Sequence, residues 1–385
     1  MIGTAVCKDV FERIEQLYGE YVGFWADICR IESPTEYKEG VDRVGSYIIE
    51  KARQRGWKIE VQPQQVSGDC ICITMNPDAE GQPVCFSGHM DTVHPVGSFG
   101  DEPVRIEGEK MYGPGVQDCK GGIAASFLAM AAMEDCGVKT RPIKLILQSD
   151  EENSSRNSQK TTVQFMCEKA EGCAAFLNCE PYVRGITLGR KGIRKYSFEV
   201  TGSACHASAC YNGVSAIREA AYKIIELEKL KDKEGLTCNC GIISGGTAEN
   251  TVPDKCVFTA DIRFSNEEEK MKADRLVEEI AAKSFVEGSS CKVMLKSYRC
   301  AMEVVERNME LYRKAMKICE ETGLPVSEWV ISTGGADAAD LTEYGIPCLD
   351  SVGTEGGGMH QPTEFSYIAS LAKSAKRLAA IACCI

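Results

Sequence analysis

Three short apolar runs, each leading into an acid or a histidine, restrict the possible folds of this chain more than any other feature. Val84-Cys85-Phe86-Ser87-Gly88 runs into His89-Met90-Asp91-Thr92, residues 143–147 lead through Gln148 to Ser149-Asp150-Glu151-Glu152, and residues 174–178 lead through Cys179 to Glu180. Runs of this length read as buried strands. Strand-like segments at 58–64 and 70–76 and helix-like segments at 8–32, 40–55 and 120–135 alternate with them, which implies an α/β layer fold. Open sheets of that kind bind ligands at the carboxyl ends of their strands, where these polar residues fall.

After Glu180-Pro181 the texture changes to strand-like 195–201, helical 214–229, strand-like 238–243 and 256–264, helical 267–285 and strand-like 291–298. A β-α-β-β-α-β order is the ferredoxin-like unit. The α/β pattern then resumes with helix-like 306–322, a short apolar 346–349 and a closing helix from about 364. With 385 residues the chain exceeds what one hydrophobic core supports. The expected organisation is a large domain in two parts, 1–185 and 300–385, with a smaller domain, 186–299, inserted between them.

A net charge of -12 and a pI near 5.1 argue against nucleic acid as a partner, because phosphate binding needs a basic stripe. Charged residues enter too early at the N-terminus for a signal peptide, and no apolar run is long enough to span a bilayer, so no membrane partner and a cytoplasmic location are expected. The chain has 21 cysteines, an odd number at irregular spacing. Reduced, mostly buried thiols fit that pattern better than a disulfide scaffold, and Cys238-Asn-Cys240 and Cys383-Cys384 lack the spacing of a thiolate zinc site.

Each polar motif has two readings. Residues i and i+2 of an extended segment point the same way, so Asp91 could accept the imidazole N–H of His89 as a partner behind a metal ligand; the alternative is a satisfied core histidine. In Tyr112-Gly113-Pro114-Gly115-Val116-Gln117-Asp118-Cys119-Lys120-Gly121-Gly122, Asp118 either caps the following helix or faces an ion that the glycines let the backbone approach. The acids 150–152 either form a solvated turn or repel one another until a cation removes that cost. His360 lies in the glycine-rich Gly356-Gly357-Gly358-Met359-His360-Gln361-Pro362. The chain has four histidines in all, at 89, 94, 206 and 360. Their joint occurrence with acids at successive strand ends is more informative than any one motif.

The segments GHMDT, YGPGVQDCKGG, SDEEN, CEP, GSACHAS, GGTAENTVP, DIRF, GGADAAD and GMHQP, in this order, closely resemble the co-catalytic zinc exopeptidases and deacylases. That family includes glutamate carboxypeptidase, acetylornithine deacetylase, succinyl-diaminopimelate desuccinylase and aminoacylase. The likeness spans essentially the whole chain and is greatest to the glutamate carboxypeptidase branch. It implies a phosphorylase/hydrolase-like α/β zinc exopeptidase domain carrying an inserted ferredoxin-like α+β lid and dimerisation domain.

The resemblance further implies two zinc ions, with cobalt or manganese as possible substitutes. Asp118 would bridge them, His89 and Glu180 would complete one site, and Glu152 and His360 the other. Glu151 would be the general base, with Asp91 behind His89. His206 would donate to the developing oxyanion rather than be a core histidine, and Asn250, Arg263 and Gly335 would hold the substrate, Arg263 through its fork and Gly335 through backbone N–H groups in Gly334-Gly335-Ala336-Asp337. For Arg263 an ordinary strand-end role stays open, and for His94 a structural or surface role is expected.

Many relatives have a second acid after the bridging aspartate, joined to it by a cis peptide. Here the residue is Cys119, expected to be a buried inert thiol, and a cis non-proline bond at that position would be rare. The implied activity is hydrolysis of an amide next to a free carboxylate, in a small peptide or N-acyl amino acid, by a homodimer paired through the inserted domain. A di- or tripeptide aminopeptidase of the same family is the runner-up. A catalytically silent binding protein on the same fold is disfavoured by the complete ligand set, and a redox or sulfur-cluster protein by the cysteine spacing.

Overall fold

The computed structural model describes residues 2–233 and 235–385, which divide into two compact units. The first comprises Met1–Leu188, Val304–Ile331 and Ala336–Ile385; the second comprises Gly189–Glu303 and Ser332–Gly335.

The first unit is built on an eight-stranded mixed sheet, which bears out the α/β reading. Its strands run in the order Lys58–Gln62, Cys70–Met75, Ile143–Gln148, Val84–His89, Ala175–Asn178, Cys348–Asp350, Ile186–Arg190 and Trp329–Ser332. The centre of this sheet is parallel. Ile143–Gln148 and Ala175–Asn178 both flank Val84–His89 in parallel, and Cys348–Asp350 runs parallel to Ala175–Asn178. In register His89 lies opposite Gln148, and Ser87 opposite Asn178. The chain segments that follow these strands, carrying 149–152, Glu180 and the residues leading to His360, therefore leave the sheet from one edge.

Helix Lys38–Gln54 buries Val41, Val44, Gly45, Ile48 and Ala52, the spacing of an amphipathic helix on a sheet. Helix Lys120–Asp135 has no polar face, since every residue from Lys120 to Met133 is buried. It packs between helices Ile2–Arg30 and Ser370–Cys384 and against the strand Val84–His89. Its small residues allow that closeness: a Cβ on Gly122 would lie 2.0 Å from the backbone oxygen of Cys179.

A second sheet of this unit joins Gly356–Gly357, Phe365–Tyr367, Lys110–Tyr112 and Arg105–Glu107. The expected closing helix from about 364 is therefore corrected. Phe365–Tyr367 pairs as a strand with Lys110–Tyr112, with the Phe365 ring 5.7 Å from that of Tyr112, and the helix starts at Ser370.

The second unit has four antiparallel strands in the order Thr237–Gly245, Lys255–Phe264, Gly192–Thr201 and Ser290–Arg299, with helices Ala216–Leu227 and Glu267–Ala282. The chain order is the β-α-β-β-α-β of the ferredoxin-like unit. Alternate residues Cys256, Phe258, Ala260, Ile262 and Phe264 are buried, and Phe258 stacks on Phe198 at 4.5 Å. Lys223 and Glu219 form a buried ion pair at 3.0 Å. The lysine also donates to the carbonyls of Ile280, Ala281 and Lys283, capping the end of helix Glu267–Ala282.

Candidate metal centre

The strand edge and the glycine-rich loop bring five ligand-type side chains of the first unit together. His89 Nε2 lies 3.1 Å from Asp118 Oδ1 and 3.6 Å from Glu180 Oε1. His360 Nε2 lies 3.4 Å from Asp118 Oδ2 and 3.3 Å from Glu152 Oε2. The two oxygens of Asp118 thus face two different histidines, each with its own glutamate. His89, Asp118 and Glu180 are buried, while His360 is exposed.

Local structure explains each placement. His89 ends its strand, and its Nδ1 lies 2.9 Å from the backbone carbonyl of Asp91 and 3.3 Å from that residue's carboxylate. With the Nδ1 proton donated there, Nε2 is the ring nitrogen turned toward Asp118. Asp91 is fully buried. It accepts from the Thr35 hydroxyl at 2.7 Å and from the backbone N–H groups of Glu151 and Glu152 at 3.2 Å each. One carboxylate thereby fixes both the imidazole and the short 3₁₀ turn Glu151–Asn153.

Asp118 does not cap the following helix with its side chain. The Asp118–Cys119 peptide is cis. Cys119 is buried and its thiol donates to the Cys179 carbonyl at 3.2 Å; its sulfur nonetheless lies within 4.8 Å of ligand atoms of His89 and Glu180. His360 sits at the tip of the hairpin between Gly356–Gly357 and Phe365–Tyr367. A Cβ on Gly356 would meet the Phe365 oxygen at 2.0 Å, and Gly358 has φ +74°.

Two partners escaped sequence reading. Glu364 accepts from the backbone N–H groups of Gln117 and Asp118 through one oxygen, at 2.9 and 3.1 Å. Its other oxygen is 2.6 Å from Nε2 of His94. His94 is thus structural and buried, not a surface residue. The pair ties the Asp118 segment to the hairpin that carries His360, and no local pattern signals a contact between residues 270 apart.

Crowded charge shows in the protonation of the site. Burial, then the Asp118 charge, pushes the Glu152 carboxyl up to about 8. Hydrogen bonds to Asp118 and Glu152 lift His360 to about 10. Burial works against ionisation of Asp118, but the two histidines outweigh it and hold that carboxyl well below the usual range. Imidazole nitrogens and carboxylate oxygens are the donors a borderline divalent ion takes. Bonds of 2.0–2.2 Å in tetrahedral geometry require ligand atoms roughly 3.3–3.6 Å apart. The separations of 3.3, 3.4 and 3.6 Å fall in that range, and the 3.1 Å between His89 and Asp118 is slightly shorter.

In the second unit, the backbone N–H of Ala207 donates to the Asn250 carbonyl, and His206 bridges Thr251, so the His206 and Asn250 segments are adjacent. The Ser208 N–H donates to His206 Nδ1 at 3.2 Å, which puts the imidazole proton on Nε2. Arg263 already has its fork engaged by Asp261, at 2.6 and 3.1 Å. Gly335 lies where a Cβ would meet Arg299 Cδ at 2.8 Å.

A sheet whose strand ends gather imidazoles and carboxylates is the arrangement of a metal-assisted hydrolase. Residues 85–383 match the model of Peptidase family M20/M25/M40, and the chain belongs to that family. It is a hydrolase of amide bonds. Carboxypeptidase G2 of Pseudomonas sp. (strain RS-16) is 29% identical over 341 residues, covering 86% of this chain and 81% of that protein. A succinyl-diaminopimelate desuccinylase of Dinoroseobacter shibae is 27% identical over 311 residues, covering 74% and 79%. The crystal structure of a tripeptidase from Staphylococcus aureus superposes with a TM-score of 0.79 at 20% identity, covering 95% of this chain and 97% of that one.

Proposed function

We propose that the chain is a two-zinc hydrolase that cleaves an amide bond next to a free carboxylate, in a small peptide or an N-acyl amino acid. The observation that carries this reading is Asp118, whose two oxygens face His89 with Glu180 on one side and His360 with Glu152 on the other. The activities named for carboxypeptidase G2 and the desuccinylase supply the substrate class. When bound, the ions supply Lewis acidity toward the scissile carbonyl and the attacking water.

The chain's own residues do the rest. Glu151 takes the proton of the attacking water and passes it to the leaving amine nitrogen. Asp91 positions Glu151 through its backbone N–H and holds His89 in the tautomer that leaves Nε2 free to ligate. His206 offers Nε2–H to the oxygen on which negative charge develops. Asn250 and the Gly335 turn orient the substrate.

Profiling N-acyl amino acids against free dipeptides with zinc-loaded protein tests the proposal. Turnover restricted to substrates without a C-terminal carboxylate would overturn it. Glu151→Gln should keep its zinc and lose about 10²–10⁴-fold in kcat; full activity would remove Glu151 from the base role. An aminopeptidase is the second reading, favoured by Asp261 filling the Arg263 fork. We further assign a cytoplasmic location, supported by twenty-one cysteines that are all free thiols. We also assign a homodimer paired through the second unit, where Ile225, Ile242 and Ile243 are exposed.

A further inference from the structure

The first unit contains a cavity of 590 Å³ to which none of the metal-site residues contributes. One wall is apolar, formed by Tyr18, Leu324, Pro325 and Val326. The lining also includes Arg377 of helix Ser370–Cys384. Arg377 is only 8% exposed, and its guanidinium lies over the Tyr182 ring, 4.7 Å from the centroid. Among the described residues it has no hydrogen-bond or ion-pair partner.

The nitrogens of Arg377 are not among the buried unpartnered atoms, so they open onto the cavity it lines, and their acceptors come from what fills that space, solvent or a ligand. The other charges around the cavity are already matched. Lys376 is 2.5 Å from Glu15, and Lys373 is 3.6 Å from Glu355. One positive charge therefore remains, on the side chain best suited to grip a carboxylate with two parallel N–H groups. The carboxylates of Glu15 and Glu355 disfavour a dianion. The volume is in the range of small-molecule pockets.

We propose that this cavity is a second ligand site, taking a small molecule with an apolar body and a single carboxylate, held by Arg377. It lies against two of the segments that carry the proposed metal ligands, those of Glu180 and His360. Tyr182 follows Glu180 by two residues and donates its N–H to Thr354, while Gly353 donates to the Glu180 carbonyl. Glu355 enters the hairpin that bears His360.

The test is calorimetric titration of the zinc-loaded protein with benzoate, beside benzyl alcohol and inorganic phosphate. Benzoate should bind saturably and better than either comparator. Arg377→Gln should weaken it by at least about tenfold, and Val326→Trp, which adds bulk to the lining and keeps the arginine, should abolish it. Absence of saturable benzoate binding would overturn the proposal, as would binding that survives either substitution, because it would then lie elsewhere. Phosphate binding as tight as benzoate would overturn the choice of a monocarboxylate. If Arg377→Gln does not fold, Val326→Trp decides alone.

Discussion

Glu364 shows how much a single buried carboxylate can organise. It accepts two consecutive backbone N–H groups beside Asp118 and contacts His94 with its second oxygen. Glu364→Gln keeps the shape and removes the charge. Metal affinity should fall about 10–100-fold, the effect typical of losing a group that orients a ligand; chelator competition measures it, and unchanged affinity in a folded variant would remove Glu364 from that role. Protonation gives a second test. Without a cation, Glu152 near 8 and His360 near 10 hold protons that the unfolded chain releases around 4.5 and 6.5. Both folded values are raised, so the stability tied to these groups declines as pH climbs from about 5 to 10. Cation binding expels those protons. The gap between the melting temperatures of zinc-loaded and chelator-treated protein should therefore widen with rising pH; a constant gap would contradict the assignment of Glu152 and His360 as ligands. At this scale the sequence shows the residues proposed as ligands, which lie at strand ends and in loops, but not Glu364 with His94. Asp261 with Arg263 was readable, since residues i and i+2 share a strand face.

Among elements, helix Lys120–Asp135 is the one whose packing the site depends on. Gly122 touches the backbone of Cys179, directly before Glu180. Gly122→Ala would push helix and strand apart, an overpacking cost of about 1–3 kcal/mol. Denaturant titration should show that loss together with weaker metal binding; wild-type stability would mean the backbone yields freely there. The parallel strands Val84–His89, Ile143–Gln148 and Ala175–Asn178 were legible because each is a bounded apolar run. The second sheet was not. Its strands have two or three residues, too few for any periodicity, and Phe365–Tyr367 finds its partner at Lys110–Tyr112, far away in sequence. The aromatic residues there serve that pairing, with Lys110 4.0 Å above the Phe365 ring.

For the whole molecule, the proposed homodimer makes a direct prediction. Ile243 is half exposed on the strand Thr237–Gly245, which lies at one edge of its sheet. Ile243→Lys should convert the dimer to a folded monomer by light scattering, since a charge on a sheet edge blocks strand pairing; an unchanged dimer would place the interface elsewhere. The division of the chain has a consequence for its synthesis. All of the second unit except Ser332–Gly335 is the single stretch Gly189–Glu303, whereas the core of the first unit needs Ile2–Arg30, Lys120–Asp135 and Ser370–Cys384 together. A chain emerging from the ribosome can thus complete its later domain before its earlier one. Until residue 384 is released, the apolar flanks of the first helices stay bare, an interval in which aggregation and chaperone capture compete with closure. A chain ending at residue 369 should therefore resist protease across the second unit while the first is cut; equal protection of both would mean that the final helix is dispensable for closing the core.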